Sequence, residues 1–400
     1  MAEPSREAWI TGIGILSCLG EGPAAHWQRL MEGNPAAHAK TIGPYVVHLT
    51  GPVDFDKQIP KRGDQRQMEL WQRIGTYAAG LALESAGVKG NADLLAKTDM
   101  IVAAGSGERD LAVDAAILTG LPKAENPAAF LNERLMNDLR PTLFLAQLSN
   151  LLAGNISIVH GVTGSSRTFM GEEAAGVDAV RIALARILAG QGELALVGGG
   201  HNGERKDLLA QYDFNGYLLK GAYRPVWERA PGGGFAAASL GAFLVVEERA
   251  HAEQRGAKPL ARLTAALSDR CDRKPGAVRQ TLRGLWEKIA PSLAPGHHAV
   301  FSGASGAEPA TGEERAFLAE LRVAVRAPGS YVGHAPEPQF VINIALATLA
   351  LSHGALYPGD GGIEKNMGST LRQVVVTGVG HWRGEGLALV EAPNMKGMTG

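Results

Sequence analysis

Two thiols and one histidine pair are the first places to look for covalent or metal chemistry in this sequence. Its two cysteines are Cys18 and Cys271, so any thiol chemistry must use one of them. Cys18 lies just after a first apolar run and Cys271 in a polar segment. Neither opens a helix that would favour a thiolate, and each reads as a small buried or inert surface thiol. His297-His298 sit beside Pro295-Gly296 with no cysteine or carboxylate at ligand spacing, so they read as solvated loop residues and no metal is expected. Gly12-Ile13-Gly14 follows a strand-like run, but the third glycine of a dinucleotide fingerprint would fall at Ser17, and no acidic residue ends a second strand about 20 residues on. These glycines read instead as places where a helix packs closely on a sheet, and no cofactor is expected. Ser165-Ser166 reads as a turn-forming pair. Glu172 and Glu173 stand in the first turn of an expected helix, favoured by its dipole, with Arg167 the nearest arginine in sequence that could satisfy Glu173. Glu308, Glu313 and Glu314 read as a solvated helix start capped by Thr311.

The elements that must position these residues alternate between strands and helices. Ala8-Trp9-Ile10-Thr11-Gly12-Ile13-Gly14-Ile15 predicts a strand and a tight turn, and 24–32 a helix with Trp27 and Leu30 inward. Leu70, Ile74, Ala78, Leu81 and Leu83 recur at helical intervals over 68–86, with Gly87 as the stop, and 100–105 is a buried-type strand. A helix over 174–189 ends at Gly190, a strand over 193–197 runs into Gly198-Gly199-Gly200, and 241–248 is another buried strand. The second half repeats the alternation, with strands at 259–267 and 299–302, helices at 277–289, 313–323 and 338–352, and a closing pair of strands at 373–380 and 386–390. Val376-Thr377-Gly378-Val379-Gly380 echoes Ile10-Thr11-Gly12-Ile13-Gly14. That echo points to an internal duplication into two α/β halves, 1–250 and 251–400. Glycine supplies 52 of the 400 residues, nearly double the roughly 7 % average, and it falls at strand ends and turns.

The stretch Gly164-Ser165-Ser166-Arg167-Thr168-Phe169-Met170-Gly171-Glu172-Glu173, followed by Ala174-Ala175-Gly176-Val177 and later by Leu196-Val197-Gly198-Gly199-Gly200, resembles the β-ketoacyl-acyl-carrier-protein synthases, or ketosynthases. Further anchors are Arg224-Pro225 leading into Gly234-Phe235, Leu244 to Glu248, His251-Ala252 with Arg255-Gly256-Ala257, and Gly333-His334, so the resemblance covers nearly the whole chain. It implies the thiolase fold, an α/β class of duplicated α-β-α-β-α layers, a dimer, and an acyl carrier protein as partner in fatty acid or polyketide biosynthesis. In such enzymes a cysteine at a helix N-terminus holds the acyl group as a thioester, two histidines stabilise the enolate left when a malonyl unit loses carbon dioxide, and a lysine and a glutamate support them. The resemblance puts Glu173 at the nucleophile position, Ala304 at the first histidine, Gly329 at the lysine and His334 at the second histidine. It puts Val379 at the gate of the closing loop, Gly378-Val379-Gly380-His381-Trp382-Arg383.

A carboxylate at residue 173 cannot form the thioester. This pattern is similar to that of chain-length factors, the non-condensing partners of ketosynthases, which implies pairing with a complete paralogous ketosynthase or with a second copy of this chain. Alternatives are malonyl-carrier-protein decarboxylation with protonated Glu173 mimicking an amide, condensation through an unrecognised nucleophile with Ser165 or Ser166 as last resort, and a non-enzymatic scaffold.

Composition narrows the partners. Lys+Arg number 39 against 40 Asp+Glu, a formal charge of -1 without a basic run, so no nucleic-acid partner is expected. The longest apolar stretches, 235–246 and 340–351, fall short of the roughly 20 residues a bilayer demands, so no membrane span is expected. The polar opening residues 1–8 do not read as a secretory signal, and a cytoplasmic location is expected.

Overall fold

The apolar runs become strands that are buried on both faces, which is why they read as continuous rather than alternating. A computed structural model of the chain describes residues 6–393 apart from 142 and 230–232, so most of the opening segment 1–8 lies outside the described residues. The strands along the main sheet are β1 (Ala8–Ser17), β2 (Asp99–Ala103), β3 (Ser166–Phe169), β4 (Leu194–His201), β5 (Leu240–Glu248), β6 (Ala261–Asp269), β7 (His298–Phe301), β8 (Ala324–Arg326), β9 (Gln373–Val379) and β10 (Glu385–Glu391), with Lys40–Ile42, Tyr45–His48 and Ala237–Ala238 forming a small second sheet. They follow one hydrogen-bonded path, β8-β7-β9-β10-β6-β1-β5-β4-β2-β3.

Outward from the β1–β6 seam the two halves run in the same order, β1-β5-β4-β2-β3 and β6-β10-β9-β7-β8. The senses match as well, two antiparallel pairings followed by two parallel ones on each side. The Thr-Gly-apolar-Gly echo does not mark this repeat: in the two orders β1 corresponds to β6 and β9 to β4, so the echoing strands are not equivalent. The division expected at 250/251 falls inside the short helix Arg249–Gln254, which links β5 to β6.

Six helices complete the layers: α1 (Leu70–Ser85), α2 (Leu151–His160), α3 (Glu172–Leu188), α4 (Ala277–Ile289), α5 (Ala310–Leu321) and α6 (Gln339–His353). The inner faces of both halves, such as Ile13, Val197, Leu244 and Val376, pack on Val180 of α3 and Leu346 of α6 in one core. The alternate residues Leu196 and Phe243 pack outward on Ala82 and Ile156 of α1 and α2, while Val375 and Leu389 pack outward on Leu282 and Phe317 of α4 and α5. The result is five layers, helix, sheet, helix, sheet, helix, the α/β class expected. The middle layer explains why α6 is apolar all round: from Gln339 to Leu351 every residue is buried.

The glycines of the first strand do structural work. A Cβ on Gly14 would lie 2.0 Å from the Ala78 carbonyl oxygen and 2.3 Å from the Ala82 nitrogen, and one on Gly12 would lie 2.5 Å from the Ala82 carbonyl oxygen. They let the backbone of α1 rest on β1, as the sequence reading proposed in place of dinucleotide binding.

Several local readings are corrected. Ser166 belongs to strand β3 rather than a turn, and the Ser165 hydroxyl donates to the Asp99 carboxylate. His298 opens β7 and is half-buried rather than a solvated loop residue. Glu314 is not solvated. It is fully buried in α5, with Oε1 accepting from the hydroxyls of Ser302, at 2.8 Å, and of Thr377. Thr311 does not cap the helix; its hydroxyl accepts from the Gly306 N–H at 2.9 Å. The helices Leu111–Gly120 and Pro127–Asn137, between β2 and α2, were not expected. Among the described residues no helix is long and apolar enough to cross a membrane.

Two expectations follow for stability. Gly14→Ala must push helix backbone, so it lowers the unfolding free energy by about 3 kcal/mol or more, whereas Gly51→Ala, with nothing within 4 Å of the added carbon, changes little. Urea midpoints of the two variants check this. Burial pushes the Glu314 carboxyl up to about 7, against its ordinary 4.5. The folded chain then holds a proton that the unfolded chain has released, so this contribution is full below pH 4.5 and lost as the pH rises through 7, a span worth roughly 3 kcal/mol. Glu314→Gln, which keeps an oxygen for Ser302 and Thr377, flattens that decline and is the more stable protein at pH 8 in urea titrations at both ends of the window.

Candidate functional site

The N-terminus of α3 is entered through an unusual backbone. Gly171 has φ 130° and Glu172 φ 58°, a left-handed conformation that costs a non-glycine residue about 1 kcal/mol or more and is found where a turn must aim a side chain. The consequence is a division of labour between two neighbouring acids. Glu172 is one-third exposed and borders a cavity of about 180 Å³, while the Glu173 side chain, 4 % exposed, points into the interface between the halves.

Two imidazoles meet it there. His334 Nε2 donates to Glu173 Oε1 at 2.7 Å, and His381 Nδ1 donates to the same oxygen at 2.8 Å, with the His381 backbone N–H at 3.3 Å. Each imidazole comes from the other half of the chain. His334 is fixed by its N–H to the Ala236 carbonyl at 2.8 Å and by its own carbonyl accepting from Ala238 N–H at 2.9 Å. His381 follows β9 in the closing loop, its ring edge-on to Tyr212, Tyr217 and Phe235 with centroids 4.8 to 5.7 Å away. The approach of the two segments depends on Gly176, where a Cβ would lie 2.4 Å from the Glu337 carbonyl oxygen.

Electrostatics follow from this geometry. Burial alone would raise the Glu173 carboxyl, but the charge of His381 and the hydrogen bonds from both imidazoles hold it well below the ordinary carboxylate range. Burial works against a charged His381 too, yet the Glu173 carboxylate raises it above an ordinary histidine. His334, fully buried, is lowered by desolvation despite its bond to Glu173. The Glu173 carboxylate therefore favours a proton on His381, while burial favours the neutral form of His334. Glu173 Oε2 and His334 Nδ1 have no hydrogen-bond partner among the described residues.

Of the residues singled out from the sequence, the structure brings Glu173 and His334 together. Ala304 is buried, its N–H on the Ser302 hydroxyl, and a Cβ on Gly329 would lie 3.0 Å from its carbonyl oxygen. The positions expected for the first histidine and the lysine are thus neighbours. Arg167 does not satisfy Glu173; it is exposed on strand β3. Val379 is buried as the last residue of β9. Among the described residues neither cysteine bonds to the cluster: Cys18 donates to the Tyr331 carbonyl at 3.2 Å, and Cys271 lies beside Arg273.

Sequence reasoning missed His381, although it stands in the very loop examined for an aromatic gate. It also missed a second buried pair, His201 Nδ1 to Glu337 Oε2 at 2.8 Å, both of which line the cavity that Glu172 borders. The available signals were a histidine directly after Gly378-Val379-Gly380, one directly after Gly198-Gly199-Gly200, and a glutamate three residues beyond His334.

Comparison with known proteins agrees with this architecture. The family model described as β-ketoacyl synthase, N-terminal domain, matches residues 5–252. The chain is 26 % identical over 265 residues to 3-oxoacyl-[acyl-carrier-protein] synthase 2 of Vibrio cholerae, covering 63 % of this chain and 60 % of that protein. It is 26 % identical over 375 residues to the tetracenomycin polyketide synthase ketoacyl synthase beta subunit of Streptomyces glaucescens, covering 88 % of this chain and 87 % of that one. The solved ishigamide ketosynthase/chain length factor superposes with a TM-score of 0.77 at 18 % identity, over 97 % of this chain and 100 % of that one, a likeness of fold. With its duplicated five-layer architecture and this match over more than half its length, the chain belongs to the β-ketoacyl synthase family.

Proposed function

We propose that this chain is a non-condensing ketosynthase-fold subunit of fatty acid or polyketide biosynthesis. In this reading it works in the cytoplasm with an acyl carrier protein and pairs with a complete ketosynthase in the manner of a chain-length factor, its halves 1–250 and 251–400 forming one unit. The observation that carries the reading is the single oxygen of Glu173 that takes both imidazoles. An N–H committed to a buried carboxylate is not free to donate to a thioester carbonyl or an enolate, and a fixed negative charge beside a developing enolate opposes it. A carboxylate at residue 173 offers no thiol for acylation, and Ala304 and Gly329 supply neither the first histidine of the family nor its lysine.

The same geometry favours this reading over decarboxylation. An amide mimic requires a protonated Glu173, and its carboxyl is held well below the ordinary range. Pairing and carrier-protein binding draw support from the names of the relatives, a synthase acting on acyl-carrier-protein substrates and a ketosynthase/chain length factor.

Purified alone, the chain is expected to give no condensation product from acyl and malonyl carrier-protein thioesters. Co-expressed with a complete ketosynthase, it is expected to elute as a one-to-one complex. A stable homodimer that ignores that enzyme contradicts the pairing. Glu173→Cys places a thiol at the positive end of α3 and is expected to accept an acyl group yet condense about 10²–10³-fold more slowly than Glu173→Cys/Ala304→His, because one oxyanion donor is still missing. Single-turnover assays with labelled malonyl thioester measure the ratio.

A further inference from the structure

We propose that Glu173, His334 and His381 form a binding site for one divalent transition-metal ion of the zinc class. A carboxylate oxygen, His334 Nε2 and a ring nitrogen of His381 offer ligand atoms that all lie within 4.8 Å of one another. Two imidazoles and one carboxylate are a donor set that suits zinc, with a fourth position left for water. The oxygen-to-nitrogen distances are 2.7 and 2.8 Å. An ion at about 2.0–2.2 Å from each ligand atom in tetrahedral geometry separates such atoms by about 3.3 Å, so each oxygen–nitrogen pair must open by about half an ångström to admit it.

Three features beyond the cluster itself point to a ligand. Glu173 is 3 % exposed, and its Oε2 is buried without a hydrogen-bond partner among the described residues, which leaves a lone-pair face for a second, bidentate contact. With both imidazoles neutral the set carries one negative charge in a site walled by Phe235, Tyr212 and Tyr217, where a dication gains most from compensation. Glu172 Oε1 lies 4.0 Å from His381 Nε2 and borders the 180 Å³ cavity, so a second carboxylate marks a way in. Because His381 sits in the closing loop and Glu173 heads α3, an ion there would pin the two halves together. The site stands or falls separately from pairing with a ketosynthase, since neither requires the other.

The test is metal analysis of the full chain after stripping with a chelator, incubation with zinc and removal of the excess. About one zinc per chain is expected, lost in His334→Gln and in His381→Gln and kept in Cys271→Ser and in His297→Ala/His298→Ala, with a thermal unfolding midpoint raised by zinc but not by magnesium. No retained zinc, or zinc retained equally in the two glutamine variants, overturns the proposal. If those variants fail to fold, the cobalt-loaded unmodified chain decides: a tetrahedral absorption spectrum without thiolate charge-transfer bands supports the site, while a thiolate band or no tetrahedral spectrum overturns it.

Discussion

One carboxylate oxygen, Glu173 Oε1, organises the centre of this protein. It is the meeting point of the first turn of α3, the segment carrying His334 and the closing loop carrying His381. A buried ion pair contributes little net stability when intact, because desolvation offsets its attraction, but losing one partner costs about 3–5 kcal/mol. The three segments are therefore held in one arrangement by a contact that is expensive to break.

The rest of the fold exists to bring those segments together. Two copies of one strand order meet at the β1–β6 seam, and the helices α3 and α6 fill the layer between the inner faces of both copies. Residues distant in sequence thus converge: Glu173 heads a helix of the first half, while His334 and His381 belong to the second. Close backbone approaches set the spacing. Gly14 lets α1 lie on β1, and Gly176 lets α3 lie against the residues after His334. The positive φ of Glu172 turns one acid toward the cavity and the next toward the imidazoles.

How much of this was legible in the sequence depended on whether the signal was local. Buried strands such as β4 and β9 and the apolar helix α6 announce themselves by composition, whereas the echo between β1 and β9 joins strands that are not equivalent in the two strand orders. The roles of Gly12 and Gly14 followed from a missing third glycine. Glu173 and His334 were placed by family resemblance, and the structure puts them 2.7 Å apart. What escaped were buried polar residues whose partners are remote. Glu314 looks like a solvated acid at a helix start until Ser302 and Thr377 are seen around it. His381 looks like a surface loop residue until α3 is brought against it, and the His201–Glu337 pair joins residues more than a hundred positions apart. Apolar periodicity reports which face is buried; it does not report which polar group is buried with it.

The central claim is that residue 173 and its imidazole partners leave no group able to take an acyl chain. Mass spectrometry of the intact, unmodified chain after incubation with acyl-carrier-protein thioesters tests it most directly. The predicted result is an unchanged protein mass. An acyl adduct mapped to Glu173, or to any other side chain of the site, would contradict the account.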